Sequence, residues 1–173
     1  MSPTYTIQIG GLKEGHHTFD FEIDKKFFEQ FEDSEVKEGS LIANVGMDKR
    51  STHLDLQIKV SGSVRVNCDR CLEMFSQPVS SENRLLVKFG KSLEDIDPDI
   101  LSLPIDAFEL DLKLQIYEFI MLALPIKRVH PVNKNGKSTC DPVMIKKLEE
   151  LIIEEEKDND PRWDELKKLM NDN

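Results

Sequence analysis

Cysteine is scarce in this chain and odd in number: three in 173 residues. Three thiols cannot all pair, and secreted scaffolds that rely on disulfides carry more, so the composition points to a reducing, cytoplasmic setting with thiols free or metal-bound. Long apolar runs are missing as well. Nothing approaches the roughly 18 consecutive apolar residues of a membrane span, and the start, MSPTYTIQIGG, lacks a basic leader followed by an apolar core. A soluble protein without a membrane partner is expected. Positive charge is in deficit, with a net charge of -10 and a pI near 4.9, which opposes general affinity for polyphosphate because such binding rests on Lys and Arg. The catalytic signatures G-x-S-x-G, H-E-x-x-H and G-x-x-x-x-G-K are all absent, and no internal repeat or low-complexity tract interrupts the chain. Enzyme chemistry is therefore the weaker expectation.

What is present favours one domain over residues 1–173, a size that buries a core without staples. Residues 1–90 read as mostly strands. Tyr5, Ile7 and Ile9 alternate, as do Phe19, Phe21 and Ile23, the period of a strand with one buried face. Asp24 is placed to cap a short helix with Phe27, Phe28 and Phe31 on one side. An antiparallel meander follows: Leu41 to Val45, then Leu54, Leu56, Ile58 and Val60, with Ser61-Gly62 read as a hairpin turn before Val64 and Val66. Met74, Phe75, Leu85, Val87 and Phe89 form a further strand through Pro78.

Residues 92–104, acidic and proline-punctuated, read as a surface loop carrying an apolar patch at Ile100, Leu101 and Leu103. Residues 105–173 read as mostly helical. Around Asp111 both periods fit: Phe108 to Ile116 alternates, while Leu112, Ile116, Phe119, Ile120 and Ala123 share a helical face. Asp141-Pro142 opens a C-terminal helix bearing Met144, Leu148 and Leu151. Glu154 to Glu156 place the wrong charge at its end and favour fraying. The tail 157–173 is expected to be loosely attached, with Trp163, Leu166 and Met170 on one face as its anchor. The fold class that results is α+β: an antiparallel, curved or partly closed sheet with a mid-chain helix and C-terminal helices packed on it.

The cysteines carry the chemistry. Cys68 and Cys71 form a Cys-x-x-Cys pair at a turn between two strands, and Cys140 follows His130 by ten positions. Three thiols and an imidazole make one tetrahedral zinc set, since a two-residue spacer lets both sulfurs of a turn reach one ion. The second half is less regular, because nine residues separate His130 from Cys140. Three alternatives stay open at this stage. The thiols are small packing residues; or Cys68 and Cys71 are a redox pair; or Cys140 and His130 form a nucleophile–base dyad. Against the redox pair, strand residues follow the motif where a helix should begin, and Asp69 and Glu73 should raise a thiol pKa. One further asymmetry singles out the same neighbourhood. From Lys127 to Cys140 there are four basic residues, Lys127, Arg128, Lys134 and Lys137, and no Asp or Glu, which leaves 19 of the 23 basic residues to face all 33 acidic ones. That stretch is a solvated loop or a local contact surface.

Four segments in order, VNCDRCLEMF, IYEFIMLALPIKRVH, a lone Cys140 and DPRWDELKKL, resemble the YceD family of large ribosomal RNA subunit accumulation proteins. The resemblance implies a non-enzymatic factor supporting synthesis, processing or stability of 23S ribosomal RNA. Its partner would be ribosomal RNA or a basic ribosomal protein of the large subunit. The family's paired cysteines fall on Cys68 and Cys71, its Leu-Pro and following histidine on Leu124, Pro125 and His130, and its last cysteine on Cys140. The resemblance also favours helix from Asp111 to Leu124. The competing reading is a thiol-dependent redox protein or Cys/His enzyme using Cys68 and Cys71, or Cys140 and His130.

Overall fold

The structure, a computed structural model, describes residues 5–90 and 100–151. The expectations for residues 92–99, Glu154 to Glu156 and the tail with Trp163, Leu166 and Met170 lie outside the described residues.

Alternation along the sequence becomes a five-stranded sheet. Its strands are β2 (Gly15–Ile23), β3 (Glu38–Lys49), β4 (His53–Asn67), β5 (Met74–Phe89) and β6 (Ile100–Leu103), in that spatial order. A second, two-stranded sheet pairs β1 (Thr6–Gln8) with β7 (Glu109–Asp111). The first four strands of the large sheet pair antiparallel, each with its neighbour in sequence. The large sheet is open, with β2 and β6 as its edges. In register, Leu41, Ala43, Val45 and Met47 of β3 sit beside Leu54, Leu56, Ile58 and Val60 of β4 on one buried face. The opposite face carries Asp48, Asp55, Gln57, Lys59 and Arg84, as period-two patterning requires of a sheet covered on one side.

The covered face is roofed by three elements. Helix α1 (Lys25–Phe28) starts where Asp24 accepts the Lys26 N–H at 2.9 Å, and it drives Phe27 and Phe28 fully into the core. Tyr5 packs edge-on against Phe27 with ring centroids 4.7 Å apart. Helix α2 (Lys113–Leu122) lies on β4 and β5 and buries Ile116 and Ile120, and Phe31 stacks on its Tyr117 at 4.0 Å. The small sheet contributes Ile7 and Leu110. The fold is thus α+β, mostly antiparallel, with three helices among the described residues.

Two expectations are corrected. Ser61-Gly62 makes no hairpin, because β4 runs unbroken from His53 to Asn67. Gly62 has φ +149° and lies so close to β3 that a Cβ would fall 2.3 Å from the Ser40 carbonyl oxygen, so glycine is needed there for close approach of two strands. The apolar patch of the acidic segment is no loop either: Ile100 to Leu103 pairs parallel to Leu86–Phe89 as the edge strand β6.

Around Asp111 both periods hold in turn. β7 ends at Asp111, whose carboxylate accepts the Lys113 N–H at 2.9 Å as α2 begins. Helix α3 (Pro142–Leu151) opens as expected, with the Asp141 carboxylate accepting the Val143 N–H at 3.0 Å. It buries no residue, and only Met144 and Ile145 lean on the core.

Candidate metal centre

The β4–β5 connection is a knuckle. The Cys68 N–H donates to the Glu73 carbonyl and the Leu72 N–H to the Cys68 carbonyl, both at 2.9 Å, and the Arg70 N–H points at Cys68 Sγ from 3.4 Å. These bonds turn the chain within four residues and leave both thiols facing inward, Cys68 fully buried and Cys71 nearly so.

The second limb arrives from α2. Beyond the buried Leu124 the chain docks against the knuckle through main-chain contacts: the Asp69 N–H donates to the Arg128 carbonyl at 2.7 Å, and the Arg128 N–H to the Asp69 carboxylate at 2.6 Å. The Arg128 guanidinium reaches Glu35 at 2.7 Å. His130 then lies against the Phe75 ring, centroids 4.8 Å apart, with Nδ1 3.4 Å from Cys71 Sγ.

The nine-residue gap to Cys140 is closed by a miniature hairpin. Val132 bridges Ser138, the Asn133 side chain accepts the N–H groups of Asn135 and Lys137, and Gly136 takes φ +74°. Thr139 Oγ1 donates to the Pro131 carbonyl at 2.7 Å. Cys140 is thereby returned to the knuckle with its Sγ 3.8 Å from Cys68 Sγ. The spacing looked irregular because the turn signal, Asn133 and Asn135-Gly136, lies inside the gap.

All four ligand atoms, one each from Cys68, Cys71, His130 and Cys140, lie within 4.8 Å of one another. The separations suit a shared cation. Zinc–sulfur bonds of about 2.3 Å at the tetrahedral angle put sulfurs ~3.8 Å apart, which is the Cys68–Cys140 distance. A disulfide would need ~2.05 Å, and all three cysteines are free. The residues that could hold a metal are thus brought together, with one imidazole and three thiols as a donor set suited to zinc.

The electrostatics of the knuckle differ from the sequence expectation. Burial pushes the Cys68 thiol up, but the N–H groups of Cys71, Arg70 and His130 and the His130 ring outweigh it and bring the thiol down to about 6. Asp69 does not oppose this, because its carboxylate is turned to the Arg128 N–H. Burial raises Cys71, helped by its thiol neighbours Cys68 and Cys140 and opposed by hydrogen bonds to the main chain at Asp141 and Glu73. The two thiols are shifted in opposite directions, Cys68 toward thiolate and Cys71 toward thiol, and a bound cation would favour the thiolate of both.

Of the basic residues, Lys127, Lys134 and Lys137 are exposed, the last two on the miniature hairpin, whereas Arg128 is held by Glu35. Sequence reasoning missed Asp69, Glu35 and Phe75, which fix the second limb. The remaining histidines are engaged locally: His16 with Asp48, His17 with the Lys13 carbonyl and His53 with Thr52.

An α+β chain whose sheet-end knuckle meets a returning loop on a Cys₃His cluster defines a class by its architecture. Residues 56–170, more than half of the sequence, match the family described as Large ribosomal RNA subunit accumulation protein YceD, and the chain belongs to that family. The matched span contains all four cluster residues. No curated protein and no solved structure matches the chain. Among the described residues no helix is long and apolar enough to cross a membrane.

Proposed function

We propose that this protein is a non-enzymatic, cytoplasmic factor that supports synthesis, processing or stability of 23S ribosomal RNA, and that it acts as a single domain by binding a large-subunit precursor. Family membership supports the role in large-subunit rRNA accumulation. The observation that carries the mode of action is the convergence of Cys68, Cys71, His130 and Cys140 beneath the one basic stretch of an acidic chain. Zinc on these four residues would hold that stretch in one conformation, with Lys127, Lys134 and Lys137 outward as a contact surface toward rRNA or a ribosomal protein. Zinc would supply cohesion there and no reaction, since three thiolates and an imidazole complete its coordination and leave no position for substrate. The net negative charge of the chain would keep contact with RNA from spreading beyond this surface.

The test is sedimentation of lysate with and without nuclease, together with elemental analysis of protein purified without a histidine tag. Co-sedimentation with large-subunit precursors at low salt and about one zinc per chain are expected. A protein that stays at the top of the gradient would sink the assembly role, and a metal-free preparation would sink the zinc.

A further inference from the structure

Leu72 is the only non-glycine residue with positive φ among the described residues, at +63°, and its side chain is 68% exposed. A branched side chain in the left-handed region is strained, and the position after the second knuckle cysteine is one that glycine fills without strain. Burial gives the leucine nothing in return. A strained, exposed aliphatic side chain points to a use outside the molecule.

Its surroundings repeat the pattern. Met74 opens β5 two residues after Leu72, Ile126 lies two residues from the Arg128 main chain that pairs with Asp69, and Val132 follows His130 by two; all three are exposed, Ile126 completely. Charge around these residues is mostly positive: Arg70, Lys127, Lys134 and Lys137 are exposed, and of the exposed acids Asp69 and Glu35 are engaged by the Arg128 N–H and guanidinium, which leaves Glu73. The group is aliphatic, with no exposed aromatic ring on which an unpaired base could stack.

We propose that the knuckle is a protein-docking surface, centred on Leu72, for a partner segment that presents aliphatic side chains flanked by carboxylates. This rests on the reading of the same site as a contact surface and assigns this face to protein instead of RNA. Leu72, Met74 and Ile126 supply the apolar contact, and the surrounding cations select the acidic rim. The Cys/His cluster beneath fixes their positions, so little ordering is needed on binding.

The test uses the 173-residue chain in the presence of added zinc with three probes: an amphipathic peptide of Leu and Glu at helical spacing, its Leu and Lys counterpart, and a single-stranded RNA oligonucleotide of equal length. Binding is read by fluorescence anisotropy. The acidic peptide should bind in preference to the basic one, and both Leu72→Gly and Ile126→Asp should weaken it about tenfold. The thermal midpoint of Leu72→Gly should be unchanged or raised, because strain is relieved. Absence of acidic-peptide binding, binding that survives both substitutions, RNA binding that Leu72→Gly weakens equally, or a lowered midpoint each overturn the proposal. In cells, deletion of the chain tests the proposed function by the 23S rRNA level. Full rescue of a deletion by Leu72→Gly removes the docking surface and leaves that function standing.

Discussion

Strand β4 alone buries Leu54, Leu56, Ile58, Val60, Val64 and Val66, whereas the whole described stretch from Pro125 to Leu151 buries only Cys140. The sheet is held as globular cores are held, by apolar surface removed from water and by ladders in register on both sides of β4. The second region has almost no apolar burial. Its position rests on a few polar contacts to Asp69 and Glu35, the His130 ring on Phe75, and the four-residue cluster. Such a stretch has little to set against its conformational entropy unless a strong local bond is added. The contrast teaches that the molecule divides into a part held by apolar burial and a part held by a few polar contacts and the Cys/His cluster, where a bound cation would add the missing cohesion, and that the acid-free basic stretch Lys127 to Cys140 lies in the second.

The largest effect should come from removing that chemistry. Chelation, or Cys71→Ser, should strip amide protection from residues 125–140 while β3 and β4 keep theirs, as read by hydrogen exchange. The metal term lost is on the order of 10 kcal/mol in apparent binding. Loss of protection throughout the sheet, or no change in either region, would break the comparison. The converse substitution is Ile58→Ala in the fully buried centre of β4, expected to cost about 2–5 kcal/mol of global stability. Zinc stoichiometry should stay unchanged below the new midpoint. A denaturation curve and a metal assay on one sample decide it.

Acid and alkali should separate the regions too. In metal-free protein Cys68 is held down at about 6 against an ordinary 9.0. Its contribution is present above pH 9 and is lost as pH falls through 6. Burial, then the Asp24 carboxylate, raises Tyr5 in the core to about 12 from 10.0, so its contribution is complete below pH 10 and is lost as pH rises through 12. Exchange measured across pH should therefore loosen the loop on the acid side and the Tyr5 corner on the alkaline side. Loosening of both on one side would contradict the assignment.

The same division decides how much could be read from the sequence. Alternation in β3, β4 and β5 was legible because one face is buried and the period survives any tertiary context. Gly62 was misread because a turn and a close approach of strands ask for the same residue. Strand β6 escaped because parallel pairing is long-range and leaves no local signal in Ile100 to Leu103. The segment at Asp111 stayed ambiguous because Leu112 belongs to both periods, closing the alternation of β7 and opening the face of α2. At the site, the four residues and the expectation that they meet are legible in the sequence, and the contacts that bring them together are not. That convergence depends on the hairpin between Val132 and Ser138 and on the Asp69–Arg128 pairing, neither of which has an apolar period.

The smallest effects give the sharpest comparison, because they ask the same question of both regions. Arg84 donates to Asp55 at 2.8 Å on the outer face of the sheet, and Arg128 donates to Glu35 at 2.7 Å beside the knuckle. Each pair is solvent-exposed on at least one side, and deleting either by alanine should cost roughly 0.2–1 kcal/mol. Around Arg84 the ladder and core already fix the geometry, so Arg84→Ala should change exchange in β4 and β5 by no more than that amount spread over the sheet. Around Arg128 the guanidinium is one of a handful of contacts, so the same loss should concentrate in the amides of residues 126–130. Equal and diffuse changes for both substitutions would mean that the loop is held by something other than the contacts named here.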